Sequence, residues 1–160
     1  GIAIFQVEQA GSITISGNTI SNNFGAGIRI FQCTGPTFTI NSNFIGTDKT
    51  GSTALPNLTS GIIAQSSTNV NIGIAGAGNV ISGNGSTVMA PMPNTSNAFE
   101  WDWYNSCGIY FEDGRNSSIK GNFIGTNLAG TSTGAANALG NLYAGIKIKN
   151  YGATSTSLAI

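Results

Sequence analysis

Asn43-Phe44-Ile45-Gly46-Thr47 recurs as Asn122-Phe123-Ile124-Gly125-Thr126, and the residues that follow keep step. The first copy continues Gly51-Ser52, Leu55-Pro56-Asn57-Leu58 and Gly61-Ile62. The second continues Gly130-Thr131, Leu139-Gly140-Asn141-Leu142 and Gly145-Ile146. A matched pentapeptide with matched sequels marks an internal repeat, and repeats of this length signal stacked architectures. The second copy is longer between pentapeptide and Gly-Ile, as a loop insertion would make it.

Looser copies fill the rest of the chain. Gly-Ile pairs open runs at Gly1-Ile2, Gly27-Ile28, Gly61-Ile62, Gly108-Ile109 and Gly145-Ile146. A second alternating run follows at Ser12-Ile13-Thr14-Ile15, Thr37-Phe38-Thr39-Ile40, Val70-Asn71-Ile72, Ser118-Ile119-Lys120 and Ser157-Leu158-Ala159-Ile160. A third begins with asparagine at Asn18, Asn43, Asn79 and Asn122, each followed two residues later by Ile. Period-two runs rich in β-branched residues and punctuated by Gly, Asn and Ser read as short strands, three to a repeat. No stretch carries a capped 3.6-residue period, so no helix is expected.

Three short strands per turn, repeated, predict an all-β parallel solenoid. Stacked turns lie about 4.8 Å apart, like neighbouring strands in any sheet. Like residues then fall over like, so isoleucine columns fill the interior. Asn18, Asn43, Asn79 and Asn122 are predicted to form a structural ladder at the bend before the third strand, with side-chain amides bonding up the stack.

The Asn-x-Ile-Gly-Thr…Gly-Ile pattern resembles the right-handed parallel β-helix repeat proteins of bacterial secreted and cell-surface polypeptides. The resemblance spans residues 1–160 and is strongest over 37–62 and 118–148. It implies a single right-handed parallel β-helix segment of about four to five coils, bacterial, and extracellular or cell-surface. For activity it is unspecific, because the family includes adhesins, structural surface proteins, polysaccharide lyases and glycoside hydrolases.

The chain opens inside one strand and closes in another, without polar capping segments at either end. Solenoids normally need caps, so the expectation is a fragment of a longer polypeptide or copies stacked end to end. Successive Gly-Ile pairs are unevenly spaced, and the excess residues are expected in lateral loops at 46–60, 85–107 and 125–144. The second of these is the compositional outlier. It holds Glu100, Trp101, Asp102, Trp103 and Tyr104. These could pack as a satellite core, anchor a neighbouring subunit, or stack on sugar faces.

Composition limits the chemistry. Charged residues make up 8% of the chain, with six basic and six acidic, against about 25% in ordinary domains. A phosphate-tracking nucleic-acid partner is not expected from so few Lys and Arg. No apolar run approaches the roughly 20 residues of a membrane-spanning helix. There is no His, which removes the commonest general base and metal ligand. The six carboxylates are Glu8, Asp48, Glu100, Asp102, Glu112 and Asp113. A glycosidase needs two of them across a cleft, and Glu112-Asp113 reads instead as a charged turn before Gly114-Arg115. The pectinase-like Asp cluster with His is missing, Arg29-Ile30-Phe31 lacks the Lys of an Arg-x-Lys element, and Lys147-Ile148-Lys149 reads as strand surface. No catalytic residue, metal or cofactor is expected. Cys33 and Cys107 are expected as free thiols unless the loop near Cys107 moves to allow a bridge. Sequons at Asn57, Asn84, Asn94 and Asn116 are no more than so Asn-rich and Ser/Thr-rich a chain gives by chance.

The expected function is therefore non-enzymatic and structural: a stalk, adhesin or self-stacking fibre component. The alternative is a carbohydrate-active protein that binds or cleaves a polysaccharide beside the aromatic loop.

Overall fold

The computed structural model describes residues 1–85, 106–132, 138–150 and 158–160. Among them are fourteen strands and no helix. In chain order they are β1 (Ile2–Phe5), β2 (Gly11–Ser16), β3 (Thr19–Ile20), β4 (Ile28–Phe31), β5 (Pro36–Asn41), β6 (Phe44–Ile45) and β7 (Ile62–Gln65). There follow β8 (Val70–Ile72), β9 (Val80–Ile81), β10 (Cys107–Glu112), β11 (Ser117–Ile119), β12 (Phe123–Ile124), β13 (Ala144–Lys149) and β14 (Leu158–Ala159). Every third strand joins the same sheet. β1-β4-β7-β10-β13 form the first, β2-β5-β8-β11-β14 the second and β3-β6-β9-β12 the third. All pairings between these strands are parallel.

The register stacks isoleucine on isoleucine. Ile2, Ile28, Ile62, Ile109 and Ile146 pair in succession along the first sheet. Ile15, Ile40, Ile72 and Ile119 do so in the second, and Ile20, Ile45, Ile81 and Ile124 in the third. Side chains from all three files meet in one hydrophobic cluster. Ile28, Ile62, Ile109, Ile40, Ile72, Ile45 and Ile81 are wholly buried there. Each such side chain stabilises the fold by about 1.5–3 kcal/mol relative to exposure. A neighbouring file varies its volumes, with Ile30, Ala64 and Phe111 in succession, so a small residue lies between two large ones.

The glycine of each Gly-Ile pair has a steric reason. A Cβ on Gly61 would lie 2.8 Å from the Gly108 carbonyl oxygen and 2.8 Å from Ile81 Cγ2. One on Gly27 would lie 2.7 Å from the Gly61 oxygen, and one on Gly108 2.6 Å from the Gly145 oxygen. Successive repeats approach too closely here for any side chain. At the corner leaving the first sheet, Gln6, Gln32, Ser66 and Asp113 each take a left-handed backbone, with φ of 53°, 53°, 48° and 47°. That conformation is uncommon outside glycine. Their amides still donate to the next repeat, at Phe31, Gln65, Glu112 and Lys149 respectively. Backbone pairing thus continues around the bend and over-determines the strained residue.

Loop 46–60 leaves the third sheet at Gly46 and folds on itself. Thr47 and Ala54 form an antiparallel bridge. The Asp48 carboxylate accepts from the Thr50 hydroxyl and from the Ser52 and Thr53 amides. In loop 125–144 the amide oxygen of Asn127 takes this part, accepting from the Ala129 and Thr131 amides and the Thr131 hydroxyl. Asp48 is therefore a loop staple. Partial burial pushes its carboxyl up, but the bonds from Thr50, Thr53 and Ser52 together hold it below the usual value.

Gly61→Ala is expected to destabilise the chain by about 1–3 kcal/mol, because backbone must shift to admit the methyl group. Gly11→Ala, where a Cβ meets nothing within 4 Å, should be near neutral. Paired urea denaturation curves check the contrast.

Candidate functional site

Glu100, Trp101, Asp102, Trp103 and Tyr104, the candidate ligand or subunit contact, lie outside the described residues. Asn18, Asn43, Asn79 and Asn122 lie within them and form a continuous file. Asn18 donates its backbone N–H and its Nδ2 to Asn43 Oδ1 at 3.0 and 3.1 Å. Asn43 does the same to Asn79 at 3.1 and 2.9 Å, and Asn79 to Asn122 at 3.0 and 2.8 Å. The second Nδ2 hydrogen reaches across the bend to a carbonyl of the previous repeat. Asn43 bonds Ile15, Asn79 bonds Ile40 and Asn122 bonds Ile72, all at 2.8 Å. Each inner side chain thus satisfies two backbone groups, an N–H and a carbonyl, that a tight buried corner would leave unpaired.

A second file, missing from the sequence reading, runs along the corner that leads into each Gly-Ile. Asn23 donates to Asn57 at 2.7 Å, Asn57 to Asn84 at 2.9 Å and Asn84 to Asn141 at 3.0 Å. Their Nδ2 groups also bond back to carbonyls: Asn57 to Ile20, Asn84 to Ile45 and Asn141 to Ile81. A signal was present, since Asn23, Asn57 and Asn141 each stand four residues before a Gly-Ile glycine. Asn57 and Asn84, both sequon residues, are buried in this file. Serines add further bonds at the corners. Ser67 Oγ accepts from the Cys33 amide, Ser117 Oγ from Val70 and Ser60 Oγ from Cys107.

The outer face of the first sheet carries the remaining concentration of polar chemistry. Register places Phe31, Gln65, Glu112 and Lys149 in one file, and Arg29, Ile63, Tyr110 and Lys147 in the next. Glu112 is buried and is not the solvated turn residue that its neighbours suggested. Its Oε2 accepts from Gln65 Nε2 at 2.7 Å and from the Tyr110 hydroxyl at 3.0 Å. Arg29 reaches the Gln65 oxygen at 3.4 Å and lies over the rings of Phe5 and Phe31 at 5.6 and 5.5 Å. Lys147 Nζ lies between Tyr110 and Tyr143, 5.7 and 5.4 Å from the ring centres. Burial lowers the Lys147 ammonium pKa, and the charge of Cys107 opposes this while that of Lys149 adds to it. Burial raises the Cys107 thiol, with Lys147 and the Ala144 amide opposing.

These contacts cross-link neighbouring strands of the first sheet. Both bonds described for Glu112 fall on Oε2, from donors on its own and the adjacent strand. Asp113 follows it in the left-handed corner. Among the described residues, no group of three or more His, Cys, Asp or Glu could hold a metal ion. Cys33 and Cys107 are free thiols, both wholly buried. Cys33 belongs to the main core and Cys107 to a small cluster with Ile63 and Tyr110.

Asn79→Ala should cost about 3 kcal/mol, since it leaves the buried donors of Asn43 and the Ile40 carbonyl without partners. Asn18→Ala, at the exposed end of the same file, should cost under about 1 kcal/mol. Chemical denaturation distinguishes a ladder from four independent turn residues, for which the two costs would be similar. Both cysteines should resist alkylation at neutral pH in the folded chain and react after denaturation, as counted by mass spectrometry. Labelling of either in the native chain would contradict the burial described. Comparison with family models, curated proteins and solved structures finds no match.

Proposed function

We propose that the chain is a segment of right-handed parallel β-helix serving as a non-enzymatic structural element of an extracellular or cell-surface protein. A stalk, adhesin or fibre component would use such a segment in the same way. The closed helix is supported by the order of the sheets, in which every third strand returns to the same sheet, and by the single core between them. Right-handedness follows from the general rule for parallel crossover connections, which holds in about 98% of cases.

The observation that carries the functional reading is how the buried polar side chains are used. Asn43, Asn79, Asn57 and Asn84 are held in files that bond to backbone, and Glu112 bonds side chains of its own sheet. Such a lattice resists local opening, because releasing one strand breaks bonds to the repeats on both sides. Resistance to force and to proteolysis is the property a stalk or fibre needs. Sparse charge suits the same purpose, since the stack is held by backbone pairing and apolar columns.

The test is an incubation of the purified chain with a panel of uronate-containing and neutral polysaccharides, followed by assays for new reducing ends and unsaturated products. No product is expected, and surface labelling of the producing cell should reach the chain. A product that disappears in Glu112→Gln would overturn the structural reading and favour the carbohydrate-active one.

A further inference from the structure

Asn84-Gly85 is the one Asn-Gly pair in a chain of nineteen asparagines. In an open polypeptide this pair is the asparagine context most prone to attack by its own backbone, because glycine puts no side chain in the way. The fold nevertheless needs both residues where they stand. Asn84 belongs to the second asparagine file: its Oδ1 accepts from Asn57 Nδ2 at 2.9 Å, and its backbone N–H donates to Asn141 Oδ1 at 3.0 Å. Its Nδ2 lies 3.0 Å from both Asn141 Oδ1 and the Ile45 carbonyl, and 3.2 Å from the Ser82 carbonyl. Gly85 turns the chain with φ of 95°. A Cβ there would lie 2.8 Å from Leu142 Cβ and 2.9 Å from Ser106 Cα. The other file members precede bulky residues, Asn23 before Phe24, Asn57 before Leu58 and Asn141 before Leu142. Two separate packing demands thus put the reactive pair at this corner.

The same packing holds the pair apart from reaction. Ring closure needs a Gly85 nitrogen stripped of its proton and an Asn84 side-chain amide turned to face it. In the fold the Gly85 N–H donates to the Asn57 carbonyl at 2.9 Å. The Asn84 amide is pinned by partners in the repeats on either side, Asn57 and Asn141. Asn84 is 1% exposed, so solvent base has no approach to the reacting atoms.

We infer that Asn84-Gly85 is a self-modification site that the folded stack keeps closed and that unfolding opens. In the open chain the Gly85 nitrogen bonds to Asn84 Cγ, the Cγ–Nδ2 bond breaks, and ammonia leaves carrying the proton lost by the Gly85 amide. Water then opens the cyclic imide at one of its two carbonyls, giving aspartate or isoaspartate at position 84. Neither product rejoins the file. Aspartate replaces the Nδ2 donor by an acceptor set against the Ile45 and Ser82 carbonyls and Asn141 Oδ1, and a buried charge without donors is strongly unfavourable. Isoaspartate also lengthens the main chain by one carbon and displaces the Gly85 N–H from Asn57. A prolonged unfolding is thereby recorded covalently and made irreversible. This goes beyond the structural role proposed above and is independent of where the protein resides.

The experiment compares the folded chain with the chain in enough guanidinium chloride to unfold it, both held at mildly alkaline pH and followed by peptide mass spectrometry. Conversion of Asn84 to the acid is expected to be at least about a hundredfold slower in the folded chain, since only its rare open population reacts. In the denaturant, Asn84 should convert ahead of Asn57 and Asn141. Equal rates in the two states would overturn the protection, and conversion of Asn57 or Asn141 as fast as Asn84 would overturn the selectivity. Asn84→Asp, made directly, tests the consequence. It is expected to melt at least about 4 °C below the parent, or not to fold at all. Melting together with the parent would show that the file accepts the product and would refute irreversibility.

Discussion

A buried asparagine at a chain reversal has to satisfy one acceptor and two donor hydrogens, and most of this structure follows from how that is done. Asn43 and Asn79 each accept two bonds at Oδ1 from the repeat before, give one Nδ2 hydrogen to the repeat after, and return the other to a carbonyl of the repeat before. The arrangement works only if successive repeats turn at the same place and height. It therefore constrains the register of the strands on either side. A slip of one residue would reverse which side chains face the core, and it would also break every bond in the file.

The remaining features accommodate that constraint. Glycine stands at positions 1, 27, 61 and 108 because the next repeat's carbonyl occupies the place of a Cβ. Left-handed residues at the Gln6, Gln32, Ser66 and Asp113 corner turn the chain without interrupting backbone pairing. Surplus residues leave at corners and not within strands, so repeats of unequal length keep equal cores. The first half of loop 46–60 is closed by its own Asp48 staple, while Asn57 and Ser60 in its second half bond into the stack. Cross-strand polar contacts on the outer face, from Arg29 through Gln65 to Glu112, brace three adjacent strands of one sheet.

Much of this was legible before any coordinates. The duplicated Asn-Phe-Ile-Gly-Thr set the alignment of β6 with β12, two repeats apart, and the Gly-Ile pairs aligned the first sheet throughout. Both signals survive because close packing allows few alternatives at those positions. The second asparagine file was harder to see, since Asn84 is not followed by a Gly-Ile at the usual distance. The Glu112 network was not legible at all. Its partner Gln65 lies 47 residues away, and only the register of β7 against β10 shows that they touch. The same blindness made Glu112-Asp113 read as a charged turn, although one residue is a buried acceptor and the other the bend.

The central claim is that repeats of different length stack in parallel with like residue on like. Methyl NOE spectroscopy on a chain with labelled isoleucine methyl groups tests it directly. An unbroken path of contacts is expected from Ile2 to Ile28, Ile62, Ile109 and Ile146, joining residues far apart in sequence by steps of unequal length. Contacts confined to neighbours in sequence, or a path that pairs the first-sheet isoleucines in another order, would contradict it.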